Sequence, residues 1–143
     1  MSYLVVIPRD ITEPGKAFLR ERGYRVRVGA GGYSADSIRN DIADADAILA
    51  RTGEYSRAVL AAAPHLIVIG RHGVGMDAFD LDYCRERGIR VTNAPIANTE
   101  SVAEHAIGQM IALSHRFVQF DYAVREGDFF LPATHPSTDL AGK

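Results

Sequence analysis

Residues 66–77 read Leu66-Ile67-Val68-Ile69-Gly70-Arg71-His72-Gly73-Val74-Gly75-Met76-Asp77, an apolar run that ends in a glycine-rich loop. The run is too short for a helix and rich in β-branched residues, so it predicts a buried strand over 66–70, and the helical pattern of 80–87 follows the loop. Outward from this point the same alternation recurs. Towards the N-terminus lie apolar 3–7, helical 12–22, apolar 24–28, helical 34–43, apolar 47–50 and helical 56–62; on the other side a fifth apolar run covers 89–92. Short apolar runs divided by helical periods predict an open parallel α/β sheet of five strands with flanking helices. Local punctuation agrees: Gly23 and Gly88 follow helix ends that carry arginine, and Ser34 stands where a helix cap belongs.

The 143 residues are 47% hydrophobic and 24% charged, which suits one globule of ordinary size and excludes a disordered or collagen-like chain. The 16 basic and 18 acidic residues leave a net charge of −2, so the basic footprint of a nucleic-acid binder is missing. No apolar run approaches the ~20 residues of a membrane span, and because Met1 leads directly into a strand the expectation is that there is no targeting segment. A lone cysteine, Cys84, has no partner in the chain, and a reducing, cytoplasmic location is the expectation.

After Asn93 the character changes. Ser101-Val102-Ala103-Glu104 has the spacing of a capping box and predicts the start of a long helix. Along it Val102, Ala106, Met110, Leu113 and Phe117 share a face, and small residues such as Ala103 and Gly108 would allow another helix to approach closely. Residues 117–130 then hold five of the chain's twelve Phe and Tyr residues. An exposed apolar patch of that size marks an interface, so a partner subunit or a further domain is expected over 99–130. Residues 132–143 read as a polar connector.

Chemistry concentrates at the strand ends. Ligands of open α/β sheets bind outside the carboxyl ends of the strands, where the loop Arg71 to Asp77 lies. Glycines at 73 and 75 would let backbone N–H groups converge on a carboxylate, with Arg71 adding charge; the plainer alternative is a tight turn that needs two flexible residues. Arg51, after the third strand, suits a bidentate carboxylate contact or a surface ion pair. Asn98 and Thr99 precede the long helix, where unpaired amides favour a polar ligand, and equally they are ordinary caps. Gly29 to Gly32 reads as a flexible turn rather than a phosphate cradle. The six residues from Gly73 to Ala78 match a dinucleotide fingerprint only superficially, because Asp77 and Asp80 intrude and the next strand ends in Thr92-Asn93 without an acidic residue. Glu104 and His105 are helix neighbours pointing about 100° apart and form no dyad; His105 reads as a packed helix residue. His72 has no Ser or Cys nucleophile in a motif beside it. No metal-ligand spacing is present.

Taken together, Arg51, the loop Gly70-Arg71-His72-Gly73-Val74-Gly75-Met76-Asp77, Asn93-Ala94-Pro95, and Asn98-Thr99-Glu100-Ser101-Val102-Ala103-Glu104-His105 strongly resemble the D-2-hydroxyacid dehydrogenase family, in particular its phosphoglycerate-dehydrogenase-like members. The resemblance covers nearly the whole chain. It implies a flavodoxin-like substrate-binding domain over 1–98 and, over 99–143, the helical start of a nucleotide-binding domain that also forms a dimer interface. It further implies that the amides around Gly73, Val74 and Gly75 hold a substrate carboxylate, that Arg51 and Arg71 contact its polar groups, and that Asn98 lies near the reacting carbon. Val74, Thr99 and Val102 would be close to the cofactor.

Asp139-Leu140-Ala141-Gly142-Lys143 resembles the segment immediately before the family's Rossmann strand. The family's catalytic His, its carboxylate partner, its substrate-orienting Arg and the residue choosing NAD or NADP map to nothing here. The chain is therefore expected to be the acid-binding portion of an NAD- or NADP-dependent enzyme acting on small 2-hydroxy and 2-oxo acids. Alone it should lack catalytic residues and activity and bind no cofactor tightly. A stand-alone anion-binding or dimerisation module without catalysis is the alternative. A phosphorylatable receiver domain is excluded, since Arg51 and Asn93 occupy the positions where it needs Asp and Lys.

Overall fold

The computed structural model describes residues 2–142; Met1 and Lys143, and with them the readings placed on those two residues, lie outside it. By its internal contacts the chain divides into two compact units, Met1–Ala97 and Asn98–Lys143.

The first unit follows the alternation of the sequence. It runs β1 (Leu4–Ile7), α1 (Glu13–Glu21), β2 (Arg25–Val28), α2 (Ala35–Ile42), β3 (Ala47–Ala50), α3 (Arg57–Leu60), β4 (Val68–Arg71), α4 (Leu81–Arg87) and β5 (Arg90–Thr92). The strands form one parallel sheet in the order β2-β1-β3-β4-β5. All four residues of the interior strand β1 are buried, whereas the edge strand β2 alternates Arg25 and Arg27 with valine, charges that discourage pairing with another chain. The fourth strand begins two residues later than expected, so Arg71 is its last residue rather than part of the loop.

Right-handed crossovers place α1, which carries the chain from β1 out to β2, on one face, and α2, α3 and α4, which step the other way, on the opposite face. The main core lies on that second side, where Ile38, Ile42, Leu60 and Cys84 from the helices pack on Val6, Ile48 and Ile69 of the sheet. Truncating one of these isoleucines to alanine costs about 2–5 kcal/mol. On the α1 face an apolar groove of about 510 Å3 runs along β3 and β4, bordered by Val5, Phe18, Leu49, Ile67 and Val68. Ser34 caps α2 by accepting the Ser37 N–H, Asp80 caps α4 by accepting that of Tyr83, and Gly23 and Gly88 end α1 and α4 with positive φ.

The second unit holds α5 (Thr99–Ser114), α6 (Phe117–Arg125) and α7 (Leu131–Thr134). Two expectations are corrected in it. The helix starts at Thr99 with Asn98 in the cap position, and Val102 N–H already donates to Asn98 O at 2.9 Å, so Ser101 lies inside α5 and no capping box forms. The helix also stops at Ser114, because Arg116 is left-handed (φ 53°), held by bonds from its guanidinium to Pro136 O and Gln119; Phe117 therefore opens a separate helix. The connector contains the single turn α7. No residue of α5 is buried, and Leu113, Phe129 and Phe130 are each more than two-thirds exposed.

Candidate functional site

Parallel strands deliver their exits to one edge, and here that edge gathers Arg9 after β1, Arg51 after β3, residues 72–76 after β4 and Asn93 after β5. The loop after β4 has a one-sided hydrogen-bond pattern. Its carbonyls are tied into the protein: Ala94 N–H donates to Gly73 O (3.0 Å), Asn93 Nδ2 to Val74 O (2.8 Å) and Arg71 Nε to Gly75 O (3.1 Å). Its amides point elsewhere. Among the described residues no protein acceptor meets the N–H of Val74, Gly75 or Met76, and Val74 and Gly75 are exposed. Consecutive N–H groups without a protein acceptor, on a loop whose carbonyls are satisfied, supply positive partial charge suited to a carboxylate. The set differs by one position from the sequence expectation, because Gly73 N–H donates to Arg71 O (2.9 Å) and Met76 takes its place. Gly73 is required for another reason: its φ is +148°, and a Cβ there would stand 3.1 Å from the Arg71 guanidinium carbon.

The arginines differ in availability. Arg71 folds onto its own loop, its Nη1 donating to His72 O (3.0 Å) in addition to the Nε bond to Gly75 O, so it braces the loop that carries the free amides. Arg51 donates to Asp10 O (2.6 Å) and, with Asp10, Ile11, Thr12 and His72, lines a cleft of about 330 Å3. The Asp10 carboxylate is itself engaged by Lys16 Nζ at 2.8 Å, which holds its carboxyl below the usual range. Arg9, which no motif pointed to, joins this edge; its guanidinium lies 3.7 Å from the centre of the Tyr33 ring.

Beneath the edge, Tyr55 ties two loops together. Its N–H donates to Ala78 O (2.9 Å), its carbonyl accepts from Asp80 N–H (3.1 Å), and its ring stacks on Phe79 with centroids 4.6 Å apart. Among the described residues its hydroxyl is buried without a hydrogen-bond partner, and burial pushes its pKa up to about 12 against the opposing charges of Arg71 and Arg9. Gly29 to Gly32 holds no free cradle, since Gly29 and Gly31 N–H donate to Ile7 O and Pro8 O and that of Ala30 to the Asp41 carboxylate.

Asn98, Thr99 and Val102 belong to the second unit, at the head of α5. Asn98 makes no side-chain cap bond there, and all three are exposed. His105 is exposed beside Gln109 rather than packed, because the apolar side of α5 is uncovered in this chain. No group of His, Cys, Asp and Glu able to hold a metal ion occurs among the described residues, and no described helix is long and apolar enough to cross a membrane.

Residues 5–138 match the family described as D-isomer specific 2-hydroxyacid dehydrogenase, catalytic domain. The chain belongs to this family. It is 41% identical over 144 residues to D-3-phosphoglycerate dehydrogenase of Mycobacterium bovis, covering 100% of this chain and 27% of that protein. It is 37% identical over 124 residues to the D-3-phosphoglycerate dehydrogenase of Archaeoglobus fulgidus, covering 86% and 23%. The chain thus spans about a quarter of the length of these relatives. Among solved structures it resembles the 3-phosphoglycerate dehydrogenase of Entamoeba histolytica with bound NAD+, at TM-score 0.71 and 27% identity over 81% of this chain and 40% of that one.

Membership in a dehydrogenase family raises the question whether the described residues fit a dinucleotide. They do not. The glycine loop is separated from α4 by residues 76–80, the helix N-terminus is already capped by the Asp80 carboxylate, and Asp77 and Asp82 add negative charge where a pyrophosphate would have to sit.

Proposed function

We propose that this chain is the acid-binding front of a dehydrogenase that interconverts 2-hydroxy and 2-oxo acids. The whole parent would act on the CH–OH group with NAD or NADP held by residues outside this chain, in a reducing cytoplasm where Cys84 remains a thiol. The observation that carries the reading is the one-sided loop: carbonyls of Gly73, Val74 and Gly75 fixed inward, N–H groups of Val74, Gly75 and Met76 left for a ligand.

In this reading the substrate carboxylate sits on those amides, Arg71 fixes the loop and adds positive charge behind it, and Arg51 binds a further polar group from the next strand. Charge-assisted hydrogen bonds of this kind orient a small acid more sharply than a lone lysine would. Asn98 is assigned to the side of the reacting carbon, and Thr99 and Val102, with Val74, to the cofactor side. Residues 1–98 then act as the substrate domain and 99–143 as the start of the nucleotide domain. The uncovered apolar side of α5 and the aromatic residues up to Phe130 form a homodimer interface.

Hydride transfer needs a cofactor fixed beside the substrate and a proton donor within reach, and neither is assigned to residues of this chain. The test pairs two measurements on the pure 143-residue protein. Calorimetry is expected to show D-glycerate binding, while NADH oxidation with hydroxypyruvate or glyoxylate stays at the buffer rate. Acid binding absent, or NADH turnover present, would overturn the reading.

A further inference from the structure

We propose that His72 is a further acid-binding residue whose imidazole takes up a proton when the anionic acid binds. The ligand class is the small 2-hydroxy or 2-oxo acid of the reading above, on which this inference rests. It adds to that reading a binding residue and a pH dependence for the site.

The sheet itself brings His72 to Arg51. Strands β3 and β4 pair Ala50 with Arg71, and His72 N–H extends that ladder by donating to Ala50 O (2.8 Å), which sets residue 72 beside residue 51. Side chains alternate between the two faces of a strand. Ile48 and Ile69 belong to the core under α2, α3 and α4, whereas Leu49 and Gly70 line the groove on the α1 face. Two residues further along, Arg51 and His72 fall on that same α1 face. Both line the cleft of about 330 Å3, together with Asp10, Ile11 and Thr12 of the segment leading into α1.

The backbone of His72 is tied down and its side chain is not. Its N–H is used on Ala50 O and its carbonyl accepts from Arg71 Nη1 (3.0 Å), while the exposed imidazole has no protein hydrogen-bond partner among the described residues. The charges that face it are Arg51 from β3, Arg71 from its own strand, and Asp10 from the segment before α1. The Asp10 carboxylate is engaged by Lys16 of α1, and among the described residues no carboxylate stands within ion-pair distance of His72 or Arg51. The free amides of Val74, Gly75 and Met76 follow two residues later. An anion brought in by those amides and Arg51 favours the charged form of a neighbouring imidazole, the side chain whose charge ordinarily changes between about pH 5 and 8. The acid's own carboxyl is ionised throughout that range, and the Asp10 and Glu13 carboxyls, lowered by Lys16, titrate below it. Affinity for the acid therefore rises as pH falls from 8 to 6.

The test is calorimetric titration of the full 143-residue chain with D-glycerate at about pH 6 and about pH 8, and at about pH 7 in two buffers of different ionisation heat. The unsubstituted chain is expected to bind about tenfold more tightly at the lower pH, the step from a neutral to a charge-assisted contact, and its apparent heat should differ between the buffers as a proton is taken up. His72→Gln, which cannot titrate, should bind equally at both pH values with the weaker affinity. His72→Lys, charged throughout, should bind equally at both with the tighter one. His65→Gln, in the loop that leads into β4 at the opposite edge of the sheet, should keep the full pH dependence. Equal affinity of the unsubstituted chain at both pH values, or a pH dependence that survives in His72→Gln, would overturn the proposal while leaving the acid-binding reading intact. No binding of D-glycerate at any pH would remove both.

Discussion

Gly73 and Gly75 stand two residues apart in one loop, yet alanine is expected to cost stability at the first and ligand affinity at the second. At Gly73 the backbone has φ +148°, a conformation closed to side chains, and the new Cβ would lie 3.1–3.3 Å from three atoms of the Arg71 guanidinium. The backbone strain costs about 1–3 kcal/mol. Displacing Arg71 weakens its bonds to Gly75 O and His72 O, which contribute about 0.5–1.5 kcal/mol each. Gly73→Ala should therefore lower the stability of the first unit by about 2–4 kcal/mol, a large fraction of a typical total of about 5–15 kcal/mol. At Gly75 the new Cβ meets only Asp77 Oδ2 at 3.4 Å, an ordinary contact, and φ is not in the left-handed region. Gly75→Ala should change stability by no more than about 0.5 kcal/mol, or raise it slightly by restricting the unfolded chain. Its Cβ would nevertheless stand among the free amides and hinder the approach of a carboxylate. Urea titration followed through NMR signals of residues 1–97 gives the stabilities, and calorimetry with D-glycerate gives the affinities. Unchanged stability in Gly73→Ala, or unchanged affinity in Gly75→Ala, would refute the account of the loop.

Lys16 Nζ lies 2.8 Å from Asp10 Oδ1 and 3.2 Å from Glu13 Oε2, and its hydrogen bonds hold both carboxyls below their ordinary values of 3.8 and 4.5, with Arg20 contributing at Glu13. A carboxyl lowered on folding stabilises above its unfolded pKa, and that stability is lost as pH falls through the folded one. The chain should lose stability as pH drops below 4.5, and Lys16→Met should raise the titration of both carboxyls in 13C NMR; titrations unmoved by the substitution would exclude Lys16 as the cause. Tyr55→Phe keeps the stack on Phe79 and removes an unpartnered buried hydroxyl; it should raise unfolding free energy by about 1 kcal/mol, and a comparable loss would mean that the hydroxyl has a partner. Light scattering at high concentration should report a dimer that Leu113→Glu weakens, and a monomer at every concentration would remove the interface over 99–130.

The sheet was legible because each interior strand is an apolar run bounded by helical periods, and the candidate loop because Gly73 and Gly75 follow such a run. The limits of legibility have specific physical causes. The set of free amides shifts by one position because Gly73 N–H turns back onto Arg71 O, a local bond that residue spacing does not reveal, and the anchoring of the loop carbonyls depends on distant partners, since Asn93 and Ala94 reach back from beyond β5. The start of α5 was misplaced because Ser101 and Glu104 have capping-box spacing while the helix bond from Val102 N–H to Asn98 O sets the boundary one turn earlier. The break at Arg116 had no signal of its own, as a left-handed conformation is unusual for arginine and is stabilised there by side-chain bonds to Pro136 and Gln119.

The most direct measurement is a residue-resolved amide map, by 1H–15N NMR, of the 143-residue chain titrated with D-glycerate. The account predicts that the N–H signals of Val74, Gly75 and Met76 move most and saturate together, while those of Gly29 and Gly31, already bonded to Ile7 O and Pro8 O, stay near their starting positions. Largest shifts in residues 29–32 or along α5, with the 74–76 amides unmoved, would contradict it.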